Sequence, residues 1–206
     1  MGLLMPMSVK RTVKRIRPRR LRNREHLIPA ELELLLKAAR RNRWGTRDHA
    51  LILVSYRHGL RVSEALRARW QDFDLNHGVY HVRRLKGSLS GDHPLSGVEI
   101  RALRQLKREV TQSGQSSAAN HVFVSERGGQ LSVRGVQKMI ERLALKCGLG
   151  AVNVHPHMLR HSCGYALADR DTDLRVIQAY LGHSNIRHTV RYTQLSPRKF
   201  RRLWED

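Results

Sequence analysis

A tyrosine near the carboxyl-terminal end of the chain, Tyr192, stands among several basic side chains. His183 precedes it by nine residues, and Arg187, His188 and Arg191 lie between the two. A phenol is a weak nucleophile at neutral pH, because its unperturbed pKa is about 10. Cationic neighbours can lower that pKa or stabilise the group that the phenolate attacks. The stretch therefore predicts a nucleophile, although a tyrosine in this setting alone is more often a half-buried helix residue.

A second pair of residues, His157 and Arg160, is spaced to bind an anion. The two are three residues apart at the start of a predicted helix, so they lie on one face of it. Met158 and Leu159 point the other way, into the core. Two such groups on one face can hold a phosphate. The alternative, a salt-bridged surface face, lacks nearby acidic residues until Asp169.

Two further basic residues, Arg61 and Lys86, occupy positions from which a side chain can reach a cleft. Arg61 follows Gly59, which is typical of a helix end, and precedes a short helix. The alternative interpretation of Arg61 is a surface arginine that pairs with Glu64. Lys86 begins a predicted hairpin loop at 86–91, and its alternative is an ordinary solvated lysine.

The elements that must position these residues predict a mainly α fold with one small three-stranded antiparallel sheet. Helices are predicted from apolar periodicity at 31–41, 46–58, 97–112, 132–147, from 155 onwards and at 174–181. Strands are predicted at 70–75, 79–85 and 92–95, with a first turn at 76–78.

Several helix ends can also be predicted from residue type. Thr46 is the predicted N-cap of the helix at 46–58, and Asp171 or Thr172 of the helix at 174–181. Gly182 is typical of a helix end and Ser184 of a fresh N-cap. Together they predict a sharp corner at His183 and a second helix that carries Tyr192.

The charge of the chain indicates a polyanionic partner. It has 39 Lys and Arg residues against 17 Asp and Glu residues, a formal net charge of +22. Nucleic acid is the first candidate, and a membrane-surface or ribosome-associated protein is the alternative. Aromatic residues make up only 5% of the chain, which argues against a single-strand binder built on base stacking.

Nine of these basic residues fall within residues 10–24, a block that repels itself. We expect residues 1–27 to form a flexible basic arm that follows the DNA backbone, and residues 28–206 to form one catalytic domain. A solvated tail without specific use is the alternative.

Other composition features exclude some classes of protein. Cys147 and Cys163 lack the spacing of a zinc site, and we expect both to be buried free thiols in a reducing cytosol. The sequence contains no apolar run long enough to span a bilayer, and residues 1–7 are too short for an export signal. These features predict a cytoplasmic protein with no membrane partner.

In chain order, these residues resemble the catalytic set of the tyrosine recombinase, or phage-integrase-like, family: Arg61, Lys86, His157, Arg160, His183 and Tyr192. Residues 59–64, 157–162 and 181–184 carry the resemblance. Residues 155–164 and 185–190 are similar to the small fimbrial phase-switch invertases in particular, and as in those proteins only a basic arm precedes the catalytic part. The resemblance covers residues 28 to about 204.

The resemblance implies a role for each residue in breaking a DNA phosphodiester. Tyr192 would attack the phosphorus, and Arg61 and Arg160 would stabilise charge on the non-bridging oxygens. Lys86 would protonate the leaving 5′-oxygen.

The histidines and Glu64 would support this reaction. His157 and His183 would accept the phenol proton or orient the phosphate, with His157 as the base. Glu64 would orient Arg61. The arginines supply the positive charge that a metal would bring, and the 3′-phosphotyrosine conserves the bond energy, so no metal and no cofactor are expected.

The resemblance also implies partners. They are double-stranded DNA with inverted-repeat sites, a homotetramer assembled on that DNA, and accessory proteins that bend DNA, all at the bacterial nucleoid. The expected reaction inverts a promoter element. The alternatives are a non-catalytic DNA-binding regulator that kept the fold and, more distantly, a type IB topoisomerase.

Overall fold

The computed structural model describes residues 24–85, 87–114 and 120–193. Most of the predicted arm, and Lys86, lie outside these ranges. The helices are α1 (Pro29–Arg40), α2 (Gly45–Arg57), α3 (Val62–Arg67), α4 (Gly97–Gln112), α5 (Val133–Lys146), α6 (Pro156–Ala168), α7 (Leu174–Leu181) and α8 (Arg187–Val190). The strands are β1 (Phe73–Asp74), β2 (Val79–Val82) and β3 (Gly91–Pro94), and short 3-10 helices span Trp70–Asp72, Gly150–Val152 and Arg191–Thr193.

The three strands form one antiparallel sheet in the order β1-β2-β3. Phe73 pairs with Tyr80 across β1 and β2, and the two rings stack at 4.0 Å. The predicted sheet is confirmed, but its first two strands are shorter than expected: β1 begins at Phe73 and β2 ends at Val82. The Asp72 carboxylate accepts a hydrogen bond from the Arg69 amide at 2.9 Å, which turns Trp70–Asp72 into a 3-10 helix instead of a strand.

Helix α2 forms the centre of the molecule. Five consecutive apolar residues make it hydrophobic on every side, which is the pattern of a helix surrounded by others: Ala50, Leu51, Ile52, Leu53 and Val54. All five are buried, and α2 packs against α1, α4 and α6. Its carboxyl-terminal end therefore lies beside α6, and the chain leaves it through Gly59, with a φ of 54°, directly into Arg61.

A smaller apolar cluster joins the last described helices to α6. Cys163 and Ala168 of α6 pack with Ile177 and Leu181 of α7 and with Tyr192. The tyrosine is therefore part of the packing of the domain. The turn that follows α8, Arg191–Thr193, is placed by this contact as well as by its own hydrogen bonds.

The chain that enters the domain lies close to the same turn. The Leu27 amide donates a hydrogen bond to the Ser162 hydroxyl of α6 at 2.8 Å. Glu25 accepts a hydrogen bond from Arg191 at 2.7 Å. The last residues of the predicted arm are thus attached next to Tyr192 and form part of the folded domain.

Three of the predicted helix caps are wrong. Thr46 lies inside α2, where its hydroxyl donates to the Glu109 carboxylate at 2.7 Å, and the N-cap is Trp44. Asp171 has a left-handed backbone with a φ of 57°, which an N-cap does not adopt, and Asp173 caps α7 instead.

The third wrong cap is Ser184. The Asn185 side chain accepts a hydrogen bond from the Arg187 amide at 2.9 Å, and α8 begins at Arg187. Gly182 does end α7 in the left-handed conformation, with a φ of 66°. The corner at His183 is therefore as predicted, while Tyr192 lies in the 3-10 helix after α8.

Helices that could cross a membrane are absent from the described ranges. Both cysteines are free, Cys163 buried and Cys147 partly exposed. Among the residues that the structure covers, no three His, Cys, Asp or Glu side chains are grouped to hold a metal ion.

Candidate active site

One buried carboxylate, that of Glu64, organises the basic residues of the site. Glu64 lies in the first turn of α3 and is 2% exposed. Its Oε1 accepts a hydrogen bond from Arg61 Nη1 at 2.6 Å, and its Oε2 accepts from the Arg61 amide at 2.9 Å. Arg61 Nη1 also lies 3.2 Å from the Ser88 hydroxyl. Arg61 does pair with Glu64, but the pair is partly buried and fixes the arginine at the end of α2.

A second arginine on Glu64, Arg84, was not singled out by the sequence analysis. Its Nη1 donates to Glu64 Oε2 at 3.0 Å and to the Gly59 carbonyl at 3.1 Å. Its Nη2 donates to the carbonyls of His58 and Tyr180. The buried guanidinium thus ties the end of α2 to α7. Its place after Tyr80 and Val82, on the inward face of an alternating strand, was a usable signal.

Arg160 is the most deeply buried charged residue of the site, at 1% exposure. Its Nη1 donates to the Gly59 carbonyl, and its Nη2 donates to the Leu181 carbonyl at 2.7 Å. Nη1 also lies 3.9 Å from Glu64 Oε2. Burial, with the charges of Arg84 and Arg61, lowers the pKa of Arg160 to about 10, so the guanidinium stays charged at neutral pH. Three guanidiniums therefore surround one carboxylate, and the site is electropositive.

His157 lies one turn before Arg160, on the exposed side of α6. Desolvation and the charge of Arg160 lower its pKa below the ordinary value. Its ring meets that of His161 edge to face, with centroids 4.4 Å apart. The predicted proximity of His157 to Arg160 is present, and the imidazole is largely neutral at pH 7.

His183 occupies the corner after α7 and is buried. Its Nδ1 is 2.8 Å from the Thr189 hydroxyl, and its ring lies nearly parallel to that of Tyr192 at 6.3 Å. Burial, followed by the charge of Arg160, lowers the pKa of His183 to about 3. A neutral imidazole can accept or donate one hydrogen bond but does not add charge to the site.

Tyr192 is buried against α6, with 4% of its surface exposed. Its ring lies directly over Gly164, where an added Cβ would meet the ring carbon Cζ at 2.5 Å. Its hydroxyl is 3.1 Å from His161 Nδ1. Burial raises the pKa of Tyr192 to about 12, although Arg160 and Arg191 act to lower it. The expected lowering by cationic neighbours is thus outweighed by desolvation in the DNA-free structure.

The structure brings five of the six predicted residues to one region around the ends of α2 and α7: Arg61, His157, Arg160, His183 and Tyr192. Lys86, the sixth, lies outside the described residues. Two residues that flank it in sequence, Leu85 and Ser88, belong to the same network, because the Leu85 amide donates to Glu64 and the Ser88 hydroxyl accepts from Arg61. His188 is exposed, with its ring 6.0 Å from that of His183.

Comparison with known proteins gives consistent results. The phage integrase family matches residues 25–199. The type 1 fimbriae regulatory protein FimE of Escherichia coli strain K12 is 42% identical over 182 residues, which cover 88% of this chain and 91% of FimE. The FimB protein of the same strain is 40% identical over 184 residues, covering 89% and 91%.

Solved structures share the same architecture. The XerH site-specific recombinase in a pre-cleavage complex with its difH substrate superimposes with a TM-score of 0.74 and is 26% identical. The match covers 88% of this chain and 55% of the XerH chain, so the present chain spans about half of that protein.

Proposed function

Since this chain belongs to the phage integrase family and is a tyrosine recombinase, we propose that it cleaves and rejoins DNA at specific sites through Tyr192. The observation that carries the assignment of residues is the Glu64 carboxylate, which fixes Arg61 beside the buried Arg160. Two guanidiniums held in this way form a receptor for a phosphate whose charge grows during attack. Tyr192 packs against the same helix that supplies Arg160.

Arg61 and Arg160 are the proposed ligands of the non-bridging oxygens. Among the described contacts, Arg61 uses only Nη1, which leaves its Nε and Nη2 groups able to donate to a phosphate. Arg160 donates hydrogen bonds to the carbonyls of Gly59 and Leu181, so its orientation is fixed before DNA binds. Preorganised donors of this kind stabilise a transition state without reorganising during the reaction.

The proposed reaction is a transfer of one phosphodiester bond. The Tyr192 oxygen forms a bond to phosphorus as the bond to the 5′-oxygen breaks, and Lys86 gives that oxygen its proton. His157 or His183 accepts the phenol proton, directly or through a neighbouring side chain, or orients the phosphate. In the reverse step a 5′-hydroxyl from a second site attacks the phosphotyrosine, so the strands are rejoined with no external energy source.

The proposed outcome is inversion of a promoter-bearing segment between inverted repeats in bacterial nucleoid DNA. The similarity to two type 1 fimbriae regulatory proteins along almost their full length supports this outcome over integration. We further propose a homotetramer on two DNA sites, with DNA-bending accessory proteins, and a phosphate-binding role for residues 1–27.

An inversion assay tests the proposal. The substrate is a plasmid that carries a marked DNA segment between two inverted repeats. These repeats are taken from the DNA that flanks the gene of this protein or a neighbouring promoter. The protein is mixed with this plasmid. A recombinase reverses the segment and passes through a covalent protein–DNA adduct. A non-catalytic regulator would retard the DNA on a gel without an adduct, and a topoisomerase would relax supercoils without reversing the segment.

A further inference from the structure

The hydroxyl of the proposed nucleophile is hydrogen-bonded to His161, which is not one of the six predicted catalytic residues. The Tyr192 oxygen is 3.1 Å from His161 Nδ1, and both residues are buried, with 4% and 6% of their surfaces exposed. Among the described residues, the Tyr192 hydroxyl makes no other hydrogen bond. His183 is instead bonded to Thr189, and the His157 ring meets that of His161 edge to face, with centroids 4.4 Å apart.

The geometry follows from the spacing of residues on α6. His157, His161 and Gly164 lie on successive turns of one helix face, next to Arg160. Gly164 has no side chain, so the Tyr192 ring can rest on the helix backbone. The ring is therefore directed along the helix, and its hydroxyl points at the imidazole one turn earlier.

The direction of the hydrogen bond depends on the two protonation states and on the tautomer of His161. Burial, followed by the nearby His157 and Arg191, lowers the pKa of His161 to about 3, so its ring is neutral at pH 7. The phenol keeps its proton, because burial raises its pKa. A neutral imidazole has one acceptor nitrogen. In the tautomer of His161 that carries its hydrogen on Nε2, that acceptor is Nδ1 and the Tyr192 hydroxyl donates to it.

We propose that His161 is the catalytic residue that accepts the Tyr192 proton during DNA cleavage, and that His157 passes this proton to solvent. The inference rests on the proposed function. As the Tyr192 oxygen bonds to phosphorus and the 5′-oxygen leaves, the phenol proton moves to His161 Nδ1. The imidazolium then releases its Nε2 proton towards His157, whose ring is 4.4 Å away and exposed to water.

The arrangement also links proton transfer to DNA binding. The charged and titratable groups that act on His161 belong to α6 and to the turn that carries the tyrosine: His155, His157, Arg160, Arg191 and Tyr192. The cations among them, Arg160 and Arg191, oppose a positive charge on His161. A DNA phosphate bound by Arg61 and Arg160 offsets them, so His161 becomes a stronger base when the substrate is in place.

The test compares His161→Asn and His161→Ala in the full-length protein with a matched control, His77→Asn, in the exposed turn of the sheet. The asparagine amide can occupy the place of Nδ1 and keep a hydrogen bond to the phenol, but it does not accept a proton. Each variant is assayed for DNA binding by gel shift and for the rate of adduct formation on a nicked half-site. Imidazoles of graded basicity and similar size are then added to His161→Ala.

We expect both His161 variants to bind DNA as the unaltered protein does and to form the adduct about 100-fold or more slowly, while the control is unchanged. Added imidazoles should restore His161→Ala at rates that rise with their basicity. Adduct formation by His161→Asn at the normal rate would overturn the proposal, because a hydrogen bond alone would then suffice. Rescue that depends on the size but not on the basicity of the added base would overturn it too. If Tyr192→Phe still forms an adduct, the proposed function fails; if only the His161 results fail, that function stands.

Discussion

Replacing Glu64 by glutamine keeps the shape of the side chain but removes the charge at the centre of the arginine cluster. The carboxylate accepts charge-assisted hydrogen bonds from Arg61 and Arg84 at 2.6 and 3.0 Å, and Arg160 is 3.9 Å away. Hydrogen bonds to charged groups contribute about 1.5–3 kcal/mol each, and breaking a buried ion pair costs about 3–5 kcal/mol. We therefore expect Glu64→Gln to lower the free energy of unfolding by about 3–5 kcal/mol, or the Tm by about 10 °C.

Urea unfolding of the DNA-free protein measures this loss directly. The matched control is Glu33→Gln, whose carboxylate pairs with Lys37 at 3.6 Å on the surface of α1 and should change stability by less than about 0.5 kcal/mol. Saturating DNA should reduce the deficit of Glu64→Gln, because a bound phosphate returns negative charge to the three arginines. Adduct formation should slow on the order of 10²-fold, since Arg61 loses its anchor.

The pH dependence gives an independent check. Burial acts to raise the pKa of Glu64, but the Arg61 amide and the Arg84 charge outweigh it, and the pKa lies below its ordinary value of 4.5. A carboxyl with a depressed pKa stabilises the fold above its unfolded value and loses that contribution as the pH falls through the folded value. The difference in unfolding free energy between the unaltered protein and Glu64→Gln should therefore decrease as the pH falls through the folded-state pKa of Glu64. A Glu64→Gln protein as stable as the Glu33→Gln control at pH 7 would refute this account of the cluster.

Three further predictions concern the proposed reaction. Deleting residues 1–24 should flatten the dependence of log affinity on log salt, since each phosphate contact contributes a slope of about −0.9. Cleavage of bound DNA should stay intact. An unchanged slope would show that the arm makes no phosphate contacts. Adduct formation should survive EDTA, while Arg61→Ala or Arg160→Ala should lose on the order of 10²–10³ in rate; loss on chelation that Mg²⁺ restores would contradict this. Lys86→Ala should cleave ordinary DNA very slowly but recover on a substrate with sulfur at the 5′-bridging position, whose thiolate needs little protonation. Arg61→Ala should not recover on that substrate, and equal rescue of both variants would make Lys86 a phosphate contact only.

The fold could be predicted where local rules decide it. The apolar residues at 50–54 predict a helix, and the residues around Tyr80 predict a strand, and both are present. The N-cap prediction for Thr46 was wrong because this residue lies inside α2, where its hydroxyl donates to Glu109, which is distant in sequence. The N-cap prediction for Ser184 was wrong because the next side chain, that of Asn185, accepts from the Arg187 amide. Propensity alone does not contain those partners.

The candidate site shows the same division. The motif residues were predicted from spacing and resemblance, and their catalytic roles stay predictions. Arg84 and His161 were missed because their importance comes from contacts between segments far apart in the chain, with Tyr180 and Tyr192 respectively. The pKa of Tyr192 was misjudged for a related reason, since the sequence shows the cations near the phenol but not its burial.

The central claim, that Tyr192 forms a covalent bond to a DNA 3′-phosphate, is tested most directly by trapping that bond. The protein is incubated with a nicked site that carries a label at the 5′ end of the cleaved strand, denatured, and examined for labelled protein, and the attached peptide is identified by mass spectrometry. We predict a labelled adduct on Tyr192 and none with Tyr192→Phe, which should bind the same DNA with unchanged affinity. An adduct that persists in Tyr192→Phe, on Tyr180 or Tyr165 for example, would contradict the account.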